Sequence, residues 1–352
     1  MIHARVRTIV LVSAALLSPL GCGVGTDGTD PGVIAEALTG PTVVANMSPA
    51  GLVESTGNLY WTENRSTIFP RSYNAQVYRA AKTNTPGQEV VLYQESSSAP
   101  FNFSNITFAN YGGVWYGYFI ANYRVGGAYI KRVPLDGSSG AVVLGSGNTL
   151  ASVSSPLLCD GTYLYFYGAG GMYAETLDGS RVYDLGPVGG ITSFGFDSQH
   201  VYFAAGTTVY RAYKPNVTTY YSAIATTSSP VTALAVAPGA TGDAATVVYW
   251  GAGGSVSQYT QSTGVQGFAS PGGAGLVNPA TVTSMSFDGT NVLWTWNDNT
   301  NSNNWVVYKL SASLSFGHGT LTYVGNTGAR SVMGDASRIF YINNTALERL
   351  NY

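Results

Sequence analysis

Short runs of apolar residues alternate with polar breaks along almost the whole chain, and no stretch keeps a 3.6-residue apolar period beyond about ten residues. Runs such as ITSFGFD (191–197), HVYFA (200–204), VVYWG (247–251) and VTSMSFD (282–288) are four to seven residues long and are separated by Gly, Asp, Asn and Ser. That punctuation belongs to β-strands joined by tight turns, so the pattern predicts an all-β chain.

One unit recurs within it. An aromatic pair stands at Tyr60-Trp61, Trp115-Tyr116, Tyr165-Phe166, Tyr202-Phe203, Tyr249-Trp250 and Phe340-Tyr341, with Leu293-Trp294 as a seventh, partial copy; successive copies are 37 to 55 residues apart. Each pair follows a polar turn, as at Asp160-Gly161, Asp197-Ser198, Asp288-Gly289 and Asp335-Ala336, where the carboxylate is expected to accept backbone N–H groups one or two residues on. A third strand with a basic residue among apolar ones comes next (VYRA at 77–80 and 209–212, IKRV at 130–133, VYKL at 307–310), then in several copies a fourth (EVVLY at 89–93, RVYDL at 181–185). Four strands per copy at this period predict a seven-bladed β-propeller of four-stranded antiparallel blades over residues 41–352. The last copy stops after its third strand, and a spare run, PTVVANM (41–47), precedes the first. The spare run is expected to complete the last blade, closing the ring and removing an open edge. Trp61, Trp115, Trp250 and Trp294 are expected to fill the space between blades.

The words LYWTE (59–63), IKRVPLDG (130–137) and ETLDG (175–179) resemble the repeat of YWTD-type propellers of lipoprotein-receptor ectodomains. The resemblance implies a propeller whose rim or top face binds proteins. That family has six blades against seven copies here, so its binding positions do not carry over.

The first 22 residues have a basic start (MIHARVR), an apolar run from Thr8 to Leu17 and a small-residue end (SPLGC). The run is too short to span a bilayer, which takes about 20 residues in a helix, so it reads as an export signal. Leu20-Gly21-Cys22 resembles the bacterial lipoprotein processing site, with Pro19 where that family prefers Leu; the resemblance implies acylation of Cys22. Residues 23–40, rich in Gly, Thr, Asp and Pro, read as a flexible tether. The expected address is the cell envelope, as an outer-membrane lipoprotein.

Composition narrows function by exclusion. Charged residues make up 10 % of the chain, net charge is −2, and Tyr, Phe and Trp number 25, 13 and 6. So many aromatics exclude a disordered chain, and scattered cations exclude a nucleic-acid binder. An outer-membrane barrel would share the Gly and Tyr content, but its strands need about nine to eleven residues.

Candidate chemistry is sparse. Beyond the signal the chain has two His, His200 and His318, and one Cys, Cys159. That is too little for a zinc site, and no disulfide framework exists. Both His are expected as solvated turn residues, with a hydrolase or lyase built on them as the alternative. The GAGG words at 168–171 and 251–254 lead into no helix and are read as turns rather than phosphate loops. Asn297–Asn304 holds one carboxylate, too few for calcium. No catalytic residue, metal or cofactor is assigned.

What remains is one loop-rich face: Asn64–Asn74 with Arg65, Phe69, Arg71 and Tyr73; Gln94–Asn105 with Phe101 and Phe103; Asn122–Arg124 with Tyr123 and Arg124; and Asn297–Asn304. Aromatics beside Arg and Asn suit a sugar or a protein epitope. The expected partner is therefore a protein or carbohydrate at the cell surface; an envelope-assembly scaffold is the alternative.

Overall fold

The aromatic repeat folds into seven antiparallel sheets among the described residues, six of four strands and one of three. The computed structural model describes residues 52–55, 58–67, 71–81, 90–144, 156–168, 170–186, 189–214, 221–239, 245–269, 281–298, 304–312, 322–326, 331–335, 338–342 and 347–351. Cys22, the tether, the 41–47 run, Phe69 and His318 lie outside them. The sheets span 52–97, 101–143, 158–186, 191–226, 231–269, 281–326 and 331–351, and are numbered 1 to 7 below. In each, strands pair in chain order, every strand with the next, so each sheet is a meander joined by short turns. Successive sheets pack largely through their first strands, while sheets 3 and 4 also meet through the fourth strand of one and the third of the other.

Register defines the repeat more sharply than spacing does. Tyr60, Tyr118, Tyr165, Tyr202, Tyr249, Leu293 and Phe340 all stand on second strands, opposite Arg79, Arg132, Ala174, Arg211, Gln258, Lys309 and Arg349 of the third. Side chains alternate across a strand, so the two members of a pair serve different seams. Tyr202 packs with Val231 and Trp250 towards sheet 5. Phe203 packs with Tyr165 and Leu185 towards sheet 3.

This register corrects the expectation for sheet 2. Its pair is Tyr118-Phe119, both fully buried, and not Trp115-Tyr116. The first two strands there, Phe101–Tyr111 and Val114–Tyr123, are nearly twice as long as those of sheet 4. The extra length carries Trp115 past the core to 44 % exposure. Trp250 and Trp294 do fill seams, whereas Trp61 is half-buried and stacks on Tyr78 with ring centroids 5.3 Å apart.

The Asp turns are built one residue further along than expected. Oδ1 of Asp160 accepts the N–H of Thr162 and Tyr163, that of Asp197 the N–H of Gln199 and His200, and that of Asp288 the N–H of Thr290 and Asn291, at 2.6 to 2.8 Å. Oδ2 then takes the Tyr165 hydroxyl (2.8 Å) or the Tyr202 hydroxyl (2.7 Å), five residues on. Sheet 6 has Leu293 at that place, and the Asn291 side-chain amide donates to Asp288 instead. One carboxylate thereby fixes both the turn and the core aromatic.

Polar ties join neighbouring sheets. Arg79 donates to the Leu135 carbonyl and Arg132 to the Leu177 carbonyl, each at 2.8 Å. These carbonyls belong to the PLDG and TLDG turns, so words that carried the sequence resemblance are acceptors for the preceding sheet. Thr192 and Thr232 stand at register shifts in their first strands and donate to the Val231 and Val282 carbonyls of the next first strand. A bulge re-aims its side chain out of the alternation, which makes such a reach available.

Candidate functional site

The second strand of sheet 1 (Asn58–Thr67) outruns the first (Leu52–Ser55), and its outer half pairs with Ser72–Val77 as a projecting ribbon. Strands replace much of what the sequence suggested were long loops. The connection from sheet 1 to sheet 2 is likewise only residues 98–100, because strand structure runs to Ser97 and resumes at Phe101. Only the Ser72–Val77 strand of the ribbon alternates, with Ala75 and Val77 buried and Tyr73 packed against them, while Asn64–Thr67 is exposed and polar throughout.

The ribbon carries three of the expected residues. Arg65 is exposed and ion-paired with buried Glu63, the second contact being Nη2 to Oε2 at 3.2 Å; this bond raises the guanidinium pKa. Arg71 donates from Nε to the Tyr73 hydroxyl at 2.8 Å and lies over the Tyr73 ring, 5.7 Å from its centroid. Asn64 anchors the ribbon to sheet 2 by donating to the Phe103 carbonyl (2.8 Å) and accepting the Phe103 N–H (2.7 Å). Arg124 is exposed in the neighbouring turn, its N–H bonded to the Pro100 carbonyl at 3.0 Å.

Beneath this surface lies a closed polar knot. Glu95 accepts Tyr123 on Oε1 at 2.6 Å, and on Oε2 both Lys131 at 2.6 Å and Tyr93 at 3.0 Å. The Lys131 ammonium also sits over the Tyr93 and Tyr123 rings, 5.4 and 5.3 Å from their centroids. Burial alone would raise the Glu95 pKa, but the Lys131 and tyrosine bonds outweigh it and the net shift is downward. Burial and the carboxylate push Tyr93 up to about 12, and raise Tyr123 as well.

Phe101 and Phe103 belong to this floor and not to the surface. Both are buried between sheets 1 and 2, with Phe101 stacked on Tyr123. The structure thus brings Arg65, Arg71, Tyr73 and Arg124 to one exposed end of two sheets, over a support made by Phe101, Phe103 and Tyr123.

Other sequence candidates are structural. His200 is buried, not solvated: it begins the second strand of sheet 4, its ring 4.5 Å from that of Tyr213, with Nδ1 3.7 Å from Asp197. Burial opposes the Asp197 charge, yet the nearby His200 side chain, the Tyr202 hydroxyl and the backbone amides of Gln199 and His200 hold its carboxyl far below the usual range. A carboxylate so fully engaged in a turn is not free to act as a base. Burial pushes the Cys159 thiol up to about 12, keeping it protonated and inert at neutral pH. Gly168–Gly171 closes a turn, and Gly253-Gly254 forms another, both between second and third strands.

One surface escaped the sequence reading. At the other end of sheet 2 the long hairpin turns through Gly112-Gly113 and exposes Tyr111, Val114 and Trp115 together. Trp115 leans on Phe108, and the Arg132 guanidinium is sandwiched 5.1 Å from Tyr111 and 4.9 Å from Tyr116.

No protein-family model and no curated protein matches the chain. Among solved structures it is similar to virginiamycin B lyase from Staphylococcus aureus, with 12 % identity, TM-score 0.53, and 87 % of this chain and 96 % of that one covered. It is also similar to the extracellular domain of BT4673, a putative hybrid two-component system of B. thetaiotaomicron (12 %, TM-score 0.50, 87 % and 38 % covered). Virginiamycin B lyase and the BT4673 domain are β-propeller proteins. The chain is a β-propeller. PorZ, a surface component of the type-IX secretion system of Porphyromonas gingivalis, is similar too (12 %, TM-score 0.53, 88 % and 37 % covered). At such identities the likeness establishes the fold of the propeller and says nothing of its chemistry.

Proposed function

We propose that the propeller is an exported, lipid-anchored protein that binds a protein or glycan at the cell surface and catalyses no reaction. The observation that carries this reading is the group of exposed Arg65, Arg71 and Arg124 with half-buried Tyr73, held on a projecting ribbon and turn above the Glu95–Lys131 knot. Planar cations and a phenol on a rigid support offer stacking surface and forked donors, the features that anchor weakly charged partners. Because Arg65 is already matched by Glu63, affinity is expected to vary little with salt.

In this reading the seven sheets close into a seven-bladed ring, and 41–47 completes the last blade. Gln76 and Tyr78, on the face of the first blade turned away from the second, are buried, which supports a neighbour on that side. The exposed Trp115 hairpin favours a second contact surface, as an assembly scaffold would need. PorZ, which shares the fold, is described as an essential surface component of a secretion system.

A glycan array and capture of surface proteins, each run with the full chain, would separate the readings. Combined Arg65→Ala, Arg71→Ala, Tyr73→Ala and Arg124→Ala should abolish binding, and the Trp115→Ala, Tyr111→Ala pair should not. The opposite result assigns function to the hairpin.

A further inference from the structure

Sheet 3 breaks the repeat at one buried position. The residue after the third-strand partner of the first aromatic is Val133 in sheet 2, Ala212 in sheet 4 and Leu310 in sheet 6, each packed against the preceding sheet. In sheet 3 that slot holds Glu175, opposite Leu164 and 3 % exposed. Its cross-strand row is Cys159, Leu164, Glu175 and Val182. Leu164 packs there with Ile130, Leu144 and Leu177 between sheets 2 and 3. Among the described residues no group hydrogen-bonds the Glu175 carboxyl; the one charge acting on it is Asp178, which repels its ionised form.

The other ionisable groups of this seam are committed. Asp178 is exposed and held down to about 2 by Thr176 and Ser180. Cys159, in the same row, is pushed up to about 12, and Tyr118, which donates to the Leu177 carbonyl, also to about 12, both by burial. From sheet 2 Arg132 is spent on the Leu177 carbonyl and the Tyr111 and Tyr116 rings. Tyr173 stacks on Phe166, and Arg181 is exposed beside Val182. Burial first, then Asp178, moves the Glu175 carboxyl up to about 7.

The seam is also thinly laddered. The fourth strand of sheet 2 (Val142–Val143) and the first of sheet 3 (Leu158–Cys159) have two residues each. A lone carboxylate without a partner is costly to bury, and the cost is relieved by taking up a proton or, while it stays ionised, by admitting water or moving the strand that carries it.

We propose that Glu175 is a proton-operated latch in the seam between sheets 2 and 3. Protonated, it packs as a neutral side chain; ionised, it draws water into the seam and loosens the third and fourth strands of sheet 3. A carboxyl whose folded pKa is raised adds stability that is complete below its unfolded value, about 4.3, and is lost as pH climbs through neutrality.

The test is amide hydrogen exchange on the full chain at pH 5.5 and 8.5, corrected for intrinsic rates, for the wild type, Glu175→Gln and Glu175→Leu. Wild-type protection over residues 172–186 should fall at least fivefold at the higher pH, with sheets 4 and 5 unchanged, and the fall should vanish in both variants. Wild-type protection that is independent of pH, or a fall that persists in Glu175→Gln, overturns the latch. Carboxyl carbon shifts of labelled glutamate give a check that needs no stable variant. One wild-type glutamate should titrate near neutrality; if all titrate in the ordinary range, the proposal is wrong.

Discussion

Single carboxylates do unusual amounts of structural work in a chain this poor in charge. Asp197 satisfies two backbone N–H groups and one buried hydroxyl, so Asp197→Ala leaves three donors without their acceptor. Each unsatisfied buried donor costs about 1 to 3 kcal/mol, and a total loss of about 3 kcal/mol is expected from urea unfolding, with Asp197→Asn losing less because Oδ1 is kept. The pH dependence runs opposite to that of Glu175. For Asp160 burial raises the pKa, but Lys214 at 2.6 Å and two amides lower it overall, and Asp197 is lowered too. A depressed folded pKa means stability that is full above the unfolded value, about 3.9, and lost as pH falls towards the folded one. Asp160→Asn should therefore flatten the acid limb of a stability–pH curve and leave the alkaline limb alone. The role of these acids in turns was legible, since Asp before Gly or Ser is a turn signal. The tie from Oδ2 to an aromatic five residues on was not, because it needs the strand to fold back. His200 misled for a similar reason: next to a turn in sequence, it is buried in space.

Elements were legible where apolar alternation survives and illegible where it does not. The second strand of sheet 4 is buried along its whole length and its aromatic pair stands out. In sheet 2 two aromatic pairs occur three residues apart, and the more conspicuous Trp115-Tyr116 hid the true Tyr118-Phe119 because the lengthened hairpin shifts the frame. Stability separates them: Trp115→Ala should change unfolding free energy by about 0.5 kcal/mol or less, whereas Trp250→Ala, which empties a seam, should cost about 3 to 5 kcal/mol. The ribbon NRST…RSYN was hidden because residues 64–67 and Arg71 are exposed and its Ser, Asn and Arg look like loop. Beneath it, Lys131→Met strands Glu95 with only tyrosine donors. That change should cost about 3 kcal/mol by urea unfolding, and adding Glu95→Leu to it should recover part of the loss.

For the whole molecule, repetition explains the composition. Gly closes turns, the aromatic pair of sheet 4 fills two seams, and ties from Arg79, Arg132, Thr192 and Thr232 to neighbouring carbonyls join the sheets alongside the Lys131–Glu95 and Lys214–Asp160 ion pairs. Among the described residues the exposed charges are few, and fall on the ribbon and its neighbouring turn (Arg65, Arg71, Arg124) and on the outer turns and edge of sheets 2 and 3 (Asp136, Asp178, Arg181, Asp184). The ribbon and turn of sheets 1 and 2 are where a partner is proposed to bind. Hydrogen exchange with and without a captured ligand or surface protein, at saturation, tests it directly. Protection should appear over residues 63–74 and 123–126. Protection confined to 110–116, or to the outer strands of the blades, would contradict it.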